Sequence, residues 1–376
     1  MTYQTIFLAE PGCQEYVQQE VEEKTAASTT THVCDSVQAD LEKDELIRMI
    51  YTGQTINNAF IQVEQAEFET YEDILNLSNE IDYDHVNDHL KSTYKVEVNR
   101  KGDHDFKSVD LEKDFYEEIK QDIESESKVR HPESIIHIEI RQNQLLIGIK
   151  LTKKDLSKRD YKLFNNPEAL RGTIAASFLY FAKQTAETKC LDPFSTAGTI
   201  MIEAALKSSK RPVRYYKKEV VENINLPDFD VGETIEECDE EIQDEFPGSL
   251  YSFDAAFKNL SNQKKNSKIA GVDQHINFSR VNALQADLKF EKNEIDIVMT
   301  KLPEVTKRRT KEDVDELYDL MIYRFEYILK EDCRFCVIGK NPELFTKKAK
   351  LYGFTKTREK HVKQGSLDLT FTEYQR

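Results

Sequence analysis

One stretch decides the fold: Asp192-Pro193-Phe194-Ser195-Thr196-Ala197-Gly198-Thr199. An apolar strand ends at the Asp-Pro pair, and a loop of small residues leads from there into a helical run that begins near Ile200. A doubly wound α/β domain builds its first strand–helix turn in this way, because small residues let the backbone approach a bound cofactor. The sequence therefore predicts a cofactor site where this strand ends.

Strand and helix patterns alternate around that stretch. A helix is predicted from Asn166 and Pro167, and further strands are predicted at 250–253, 295–300 and 335–338, with helices between them. Alternating strands and helices favour a mostly parallel sheet that is covered on both faces. The pattern over 356–372 predicts a closing antiparallel hairpin. Residues 164–376 are therefore expected to form an α/β domain.

The preceding residues carry shorter α+β patterns. A strand at 6–8 is followed by a predicted helix at 14–24, and residues 37–47 are expected to continue it. Strands are predicted at 94–98, 136–140 and 145–149, the last two as a hairpin. Residues 156–163 form a polar linker. The chain is expected to divide into domains at 1–48 and 49–155, the linker, and 164–376.

Composition excludes several classes of protein. No apolar run approaches the roughly 18 residues of a membrane span, and no basic region precedes the first strand, so we expect neither a membrane protein nor a secretory signal. The six cysteines are scattered, which favours a reducing cytoplasm. Cys333 and Cys336 fall on a predicted buried strand without a second cysteine pair or a histidine cluster. We therefore expect no metal.

The net charge of −17 is concentrated in one segment. Residues 219–245 contain 12 acidic residues and neither Lys nor Arg, so the rest of the chain is close to −5. The segment is interpreted as a solvated insertion or as a contact for a basic protein partner. Basic clusters at 207–218 and 307–311 are either solvated faces or phosphate contacts.

The order of these parts resembles the THUMP-containing RNA methyltransferases. The resemblance rests on 192–199, on Leu156-Ser157-Lys158-Arg159-Asp160-Tyr161, and on Leu170-Arg171-Gly172-Thr173-Ile174-Ala175. Within that group, the chain is most similar to archaeal and eukaryotic enzymes that methylate the 2-amino group of guanine in the tRNA acceptor stem. The resemblance implies a ferredoxin-like domain, a THUMP RNA-binding domain and a Rossmann-like class I methyltransferase domain with a seven-stranded mixed sheet.

The resemblance also implies S-adenosylmethionine as the cofactor. The family pattern is Asp-Pro-Phe-Cys-Gly-Ser/Thr-Gly-Thr, so Thr196 stands where glycine allows a positive φ, at an expected strain of about 1–3 kcal/mol. Asp254 is expected to accept hydrogen bonds from the ribose, to cap a helix that begins at Ala255, or both. The implied cofactor contacts are Asp192, Pro193, Ser195, Ala197, Gly198, Thr199, Asp254, Asn282 and Ala283.

The implied catalytic segment is Lys301-Leu302-Pro303-Glu304, where this family shows Asp-Leu-Pro-Phe. The family's first side chain accepts hydrogen bonds from the target amino group, and its aromatic ring stacks on the flipped base. A lysine ammonium only donates, and a glutamate has no ring. One hypothesis is an active methyltransferase in which Glu304 is a displaced acceptor and Lys301 contacts phosphate. The other is a tRNA-binding protein that has lost methyl transfer.

A third class, an α/β domain for another nucleotide, is disfavoured because the chain has neither a phosphate-loop lysine nor G-x-G-x-x-G. The implied partner is tRNA, at its acceptor stem and 3′ end. Phe106 is expected to stack on a base or, more in keeping with its type, to pack in the core. The implied RNA contacts are Arg100, Lys101, His104, Lys107, Lys158, Arg159, Arg308 and Arg309.

Overall fold

The computed structural model describes residues 2–166, 168–222, 224–225, 230–307 and 309–376. Its strands, in chain order, are β1 (Thr2–Leu8), β2 (Thr29–His32), β3 (Ser36–Glu42), β4 (Asn58–Glu67), β5 (Thr93–Lys101), β6 (Glu126–Ser127), β7 (Ser134–Arg141), β8 (Gln144–Lys150), β9 (Lys189–Asp192), β10 (Ser249–Phe253), β11 (Ile276–Ser279), β12 (Ile295–Lys301), β13 (Leu329–Gly339), β14 (Thr355–Gln364) and β15 (Leu367–Gln375).

Its α-helices, in the same order, are α1 (Gln14–Lys24), α2 (Lys43–Thr52), α3 (Tyr71–Asn76), α4 (Tyr83–His89), α5 (Ser108–Ile119), α6 (Gly172–Phe181), α7 (Thr199–Ser208), α8 (Glu219–Glu222), α9 (Gly232–Glu240), α10 (Phe257–Ala270), α11 (Lys311–Ile328) and α12 (Glu343–Leu351). In the described ranges, none of these helices combines the length and the apolar composition needed to cross a bilayer.

The residues cluster into two compact units. The first contains Met1–Ala9, Val17–Ser157 and Lys217–Glu237, and the second contains Glu10–Tyr16, Lys158–Tyr216 and Cys238–Arg376. The N-terminal part of the acidic segment thus belongs to the first unit. There Lys154 pairs with Glu219 at 3.2 Å and Arg48 with Glu237 at 3.7 Å, so some of its charge is met by basic side chains of the same unit.

The first unit is built on one eight-stranded sheet in the order β2-β3-β1-β4-β8-β7-β5-β6. Strand β5 is parallel to β6 and β7, and the other neighbours are antiparallel. Since β4 pairs with both β1 and β8, residues of the segments 1–48 and 49–155 share this sheet.

The predicted continuation of the first helix through 37–47 is wrong. These residues form β3 and the start of α2. Val37, Ala39 and Leu41 are buried and alternate with more exposed polar residues, which is the period of a strand. Glu42 then forms a capping box with Glu45 and starts α2.

The second unit contains the predicted seven-stranded mixed sheet, in the order β11-β10-β9-β12-β13-β15-β14. Only β15 runs antiparallel to its neighbours, so the closing hairpin is confirmed. Buried rings pack on this sheet; the rings of Phe335 and Phe345 stack with their centroids 5.2 Å apart. Cys333 and Cys336 are buried in β13, as predicted.

A turn precedes α6, the helix that leads into β9, the first strand of this sheet. The carbonyl of Asn166 accepts from the Ala169 N–H at 2.9 Å, and α6 begins at Gly172; Pro167, the predicted helix start, lies outside the described residues. The chain order reverses between β9 and β12, and ligands bind at such a switch point, outside the carboxyl ends of the strands. The fold therefore places a site beside the ends of β9, β10 and β12.

Candidate active site

A cavity of about 860 Å³ opens at these carboxyl ends. Its walls come from four predicted segments: the loop after β9, the turn after β10, the turn after β11 and the segment that ends β12. The lining residues used below are Glu168, Pro193, Phe194, Thr196, Asp254, Ala255, Ala256, Asn259, Asn282, Ala283, Lys301, Leu302, Pro303, Glu304, Arg309 and Lys340. Both implied halves of the site, for cofactor and for acceptor, thus meet in one cavity.

Asp192 and Ser195 hold the loop after β9 in shape. The buried Asp192 carboxylate accepts from Thr300 Oγ1 at 2.6 Å and from the Phe194 N–H at 3.1 Å. Burial raises the pKa of Asp192 to about 7. The Ser195 hydroxyl donates back to the Asp192 carbonyl at 2.9 Å. These contacts tie the loop to the neighbouring strand β12.

The loop turns through two left-handed residues. Gly198 has a φ of 81°, and Thr196 has a φ of 49° although it is β-branched. The Thr196 N–H donates to Asp254 Oδ2 at 3.1 Å, and the Thr196 carbonyl accepts from Gln263 Nε2 at 3.4 Å. The strain predicted for a threonine in the place of glycine is therefore present, and these hydrogen bonds help to hold the strained conformation.

Thr199 begins α7 and presents an unsatisfied polar atom. Its Oγ1 is buried and has no hydrogen-bond partner among the residues that the structure describes. Together with Asp192, Ser195, Thr196 and Lys301, Thr199 lines a smaller recess. Buried polar atoms are normally hydrogen-bonded, so this hydroxyl is a candidate ligand contact. Ala197 and Pro193 contribute backbone to the same turn, where the Ala197 carbonyl accepts from Asn266 Nδ2 at 3.1 Å.

Asp254 connects the two walls of the cofactor half. The residue is only 8% exposed. Its carboxylate accepts from the N–H groups of Ala256 at 2.8 Å and Thr196 at 3.1 Å, and from Asn259 Nδ2 at 3.0 Å. Helix α10 begins at Phe257 with Ala256 at its N-cap, so the alternative that Asp254 caps a helix starting at Ala255 is wrong. A carboxylate has about four acceptor positions, which leaves capacity for a hydroxyl donor.

Asn282 and Ala283 form the third wall. The Asn282 side-chain oxygen accepts from the Leu284 N–H at 3.1 Å and caps the 3₁₀ helix Ala283–Lys289. That oxygen, on one of the implied cofactor contacts, therefore already has one donor. An amide oxygen has two lone pairs, so the capping bond leaves a second position for a ligand donor.

In the acceptor half, Lys301 and Glu304 have partners within the protein. Lys301 Nζ donates to the Glu168 carbonyl at 2.7 Å, and burial lowers the pKa of this lysine. The Glu304 carboxylate accepts from the Lys340 N–H at 2.8 Å and pairs with Lys340 Nζ at 3.4 Å. The two residues that depart from the family pattern are thus tied to other parts of the cavity wall.

The backbone between them is also fixed. The Leu302 N–H donates to the Ile338 carbonyl at 2.8 Å, and Tyr318 Oη donates to the Pro303 carbonyl at 2.6 Å. Neither Tyr318 nor Lys340 is found by sequence reasoning, because they lie on later elements and carry no motif of their own. The segment 301–304 is a rigid wall of the cavity.

The predicted RNA contacts differ in their availability. Lys101, Lys107 and Lys158 are exposed. Arg309 lines the cavity, where its Nη1 lies 3.5 Å from the Glu304 carbonyl, and Arg308 lies outside the described residues. Arg159 is buried, and its Nε donates to the buried Glu203 at 2.7 Å, so its assignment as a phosphate contact is corrected to an internal ion pair.

The loop around Arg100 forms an aromatic and basic cluster in the first unit. His104 Nε2 donates to the Gln142 carbonyl at 2.6 Å, so its Nδ1 accepts from Arg100 Nη1 at 3.0 Å. The half-buried Phe106 ring lies 5.2 Å from the ring of His104 and 5.0 Å from that of Tyr71. Phe106 is therefore neither a core residue nor a free side chain, and one part of its surface faces solvent.

Comparison with known proteins agrees with this geometry. The RMKL-like methyltransferase domain (UPF0020) matches residues 159–373, and the THUMP domain matches residues 68–150. A tRNA (guanine(6)-N2)-methyltransferase of Methanocaldococcus jannaschii is 26% identical over 284 residues, which cover 73% of this chain and 74% of the relative.

Two further similarities span most of the chain. A protein of the same name from Archaeoglobus fulgidus is 25% identical over 338 residues, covering 87% of this chain and 80% of the relative. The crystal structure of SMU.472 complexed with SAH superposes with a TM-score of 0.79 at 15% identity, over 100% of this chain and 98% of that one. At 15% identity, the structural similarity shows a shared fold alone.

Proposed function

The chain belongs to the RMKL-like methyltransferase-domain family, and from that premise we propose that it transfers a methyl group from S-adenosylmethionine to the exocyclic 2-amino group of a guanine in tRNA. The family and the fold class predicted from the sequence are confirmed. One observation carries the proposal: a single cavity joins Thr196 and Asp254 to the segment 301–304, and a smaller recess lined by Thr199 and Lys301 adjoins the same loop. The activity for which both archaeal relatives are named supports the choice of guanine.

The cofactor half fits S-adenosylmethionine. The unsatisfied Thr199 hydroxyl offers a donor and an acceptor, and Asp254 offers a remaining acceptor position for a ribose hydroxyl. Asn282 and Ala283 also line the cavity, and the family resemblance places the adenine ring beside them. When bound, the cofactor supplies an electrophilic methyl group. The chain's own residues fix the loop, exclude water and hold the hydroxyls.

The acceptor half positions the guanine amino group differently from the family pattern. An amino group needs hydrogen-bond acceptors that direct its lone pair, and Lys301 provides none. The remaining acceptors in this wall are main-chain carbonyls and the Glu304 carboxylate. Tyr318 and Lys340 fix the positions of these oxygens, which supports orientation of the amino group by a rigid wall. We expect transfer that is slow for this family.

We propose the acceptor stem and 3′ end as the finer substrate, contacted by the loop at 99–107. Exposed Lys101 and Lys107 beside the half-buried Phe106 support phosphate contact with base stacking. This proposal includes the domain boundaries 1–48, 49–155, 156–163 and 164–376. It also includes a cytoplasmic location and a basic protein partner. For that partner, the exposed carboxylates of Glu233, Glu236 and Glu240 offer negative charge.

The test is methyl transfer to unmodified tRNA. Full-length protein is incubated with labelled S-adenosylmethionine and tRNA, and the digested nucleosides are separated. We expect label in N2-methylguanosine with wild-type protein and none with Asp254→Ala. Label in another nucleoside would contradict the proposed target. Cofactor and tRNA binding without any label would instead support the non-catalytic tRNA-binding alternative.

A further inference from the structure

Helix α10 carries a basic surface that the proposed site does not use. Its sequence, FKNLSNQKKNSKIA, contains four lysines and neither Asp nor Glu, in a chain whose net charge is −17. An acid-free helix with four cations is unusual in so acidic a protein. The surface formed by Lys258, Lys264, Lys265 and Lys268 is called the lysine face here.

These four lysines project from one side of the helix. At 100° per residue they fall within roughly 120° of the helix circumference, together with Phe257. The opposite side buries Gln263, Asn266, Ser267 and Ala270. Gln263 accepts from Ser252 Oγ at 3.0 Å, and Asn266 Nδ2 donates to the Phe164 carbonyl at 3.0 Å. The buried polar contacts therefore fix which side of α10 faces solvent.

The lysine face has no internal counter-charge. All four lysines are exposed, and within the part of the chain that the structure describes no carboxylate lies within 4.0 Å of their nitrogens. Some other lysines of this unit are paired, as Lys348 is with Asp315 at 2.8 Å. Four uncompensated cations on one helix favour a polyanionic ligand.

Two exposed aromatic rings accompany the lysines. Lys265 Nζ lies 4.7 Å from the ring centroid of Phe164, and Phe257 is 69% exposed at the start of the helix. Single-stranded or distorted RNA is bound by such combinations, in which cations contact phosphates and rings stack on bases. The same helix begins at the cavity, since Ala255, Ala256 and Asn259 line it.

We infer that the lysine face binds the phosphate backbone of the tRNA on one side of the nucleotide that enters the cavity. This inference rests on the proposed function. Helix α10 begins at the cavity wall, and its four lysines supply positive charge in a chain whose net charge is −17. Lysine cations attract phosphate without reading the base, so the contact serves affinity and orientation.

The test replaces the charges without reversing them. The variant K258Q/K264Q/K265Q/K268Q is compared with K289Q/K292Q/K347Q/K350Q, which removes four exposed lysines from other elements of the same unit. Equilibrium binding of tRNA is measured between 50 and 200 mM salt, and cofactor binding is measured by calorimetry. We expect the first variant to lose at least tenfold in tRNA affinity. The slope of log affinity against log salt concentration is expected to fall by about 3, because each of the four lysine–phosphate contacts contributes about 0.7–0.9.

The control variant is expected to bind tRNA within about threefold of wild type, and both variants are expected to bind S-adenosylmethionine and to melt like wild type. A lysine-face variant with wild-type tRNA affinity and wild-type salt slope would overturn this inference but not the proposed function. A wild-type protein that binds no tRNA would overturn the inference together with the proposed function. Vesicles that contain phosphatidylserine form a second arm: loss of vesicle binding with unchanged tRNA affinity would assign the face to a membrane surface and overturn the inference.

Discussion

The two halves of the cavity have departed from the family pattern in different ways. In the cofactor half, Thr196 replaces glycine but keeps a φ of 49°, so the backbone path survives at the expense of local strain. In the acceptor half, Lys301 and Glu304 bring side chains of different chemistry, and each is tied to another part of the wall. Contacts that the main chain makes survive a change of side chain, whereas contacts that a side chain makes are lost when that side chain changes.

The largest effect is expected in the cofactor half. Asp254→Ala removes the acceptor for the ribose hydroxyls and the carboxylate that holds the Thr196 and Ala256 N–H groups. Hydrogen bonds to a charged group contribute about 1.5–3 kcal/mol each, so the affinity for S-adenosylmethionine falls about 100-fold in calorimetry. Asp368→Ala, on the exposed closing hairpin, serves as the control. Affinity within threefold of wild type for Asp254→Ala would remove Asp254 from the cofactor half.

The acceptor half is expected to respond in rate rather than in cofactor affinity. Lys301→Asn introduces an oxygen that accepts from the target amino group, so single-turnover transfer rises about tenfold while cofactor affinity stays within twofold. Lys292→Asn, at an exposed position, is the control. An equal fall of rate and cofactor affinity would show that the two halves are not separable in this way.

Strain in the loop gives a smaller effect, of opposite sign at two neighbouring positions. Thr196→Gly removes about 1–3 kcal/mol of backbone strain from the folded state. It also makes the unfolded chain more flexible, which lowers the free energy of unfolding by about 0.5–1 kcal/mol. The net free energy of unfolding is therefore expected to rise by about 1 kcal/mol. Gly198→Ala destabilises, because its φ is 81° and its Cβ would lie 3.2 Å from Gln263. Urea denaturation measures both. A less stable Thr196→Gly would show that the threonine contacts outweigh the strain.

A further effect, on stability rather than on activity, is a pH dependence at Asp192. Its pKa is raised from 3.8 in a model peptide to about 7 by burial, so the folded state binds this proton more tightly than the unfolded state. Its contribution to the free energy of unfolding therefore falls as the pH rises from about 4 to 7 and is constant above that. The stability of Asp192→Asn relative to wild type should rise over the same range. A difference that does not vary with pH would contradict the raised pKa.

Local patterns in the sequence predict the elements but not every partner. The loop at 192–199, the strand 295–300 and the closing hairpin follow from runs of apolar and small residues, and the structure contains them. Arg159 reads as an exposed linker cation, yet it is buried against Glu203, which lies 44 positions later. Glu304 likewise meets Lys340 from 36 positions away. Such pairings are decided by the sheet order, which no window of neighbouring residues contains.

The central claim is that one half of the cavity holds S-adenosylmethionine while the other presents a guanine amino group to it. Its most direct test is a single-turnover chase. Protein loaded with methyl-labelled cofactor is mixed with tRNA and excess unlabelled cofactor. We predict that the bound label appears in N2-methylguanosine, more slowly in wild type than in Lys301→Asn. Label that leaves as unreacted cofactor in both proteins would contradict the claim.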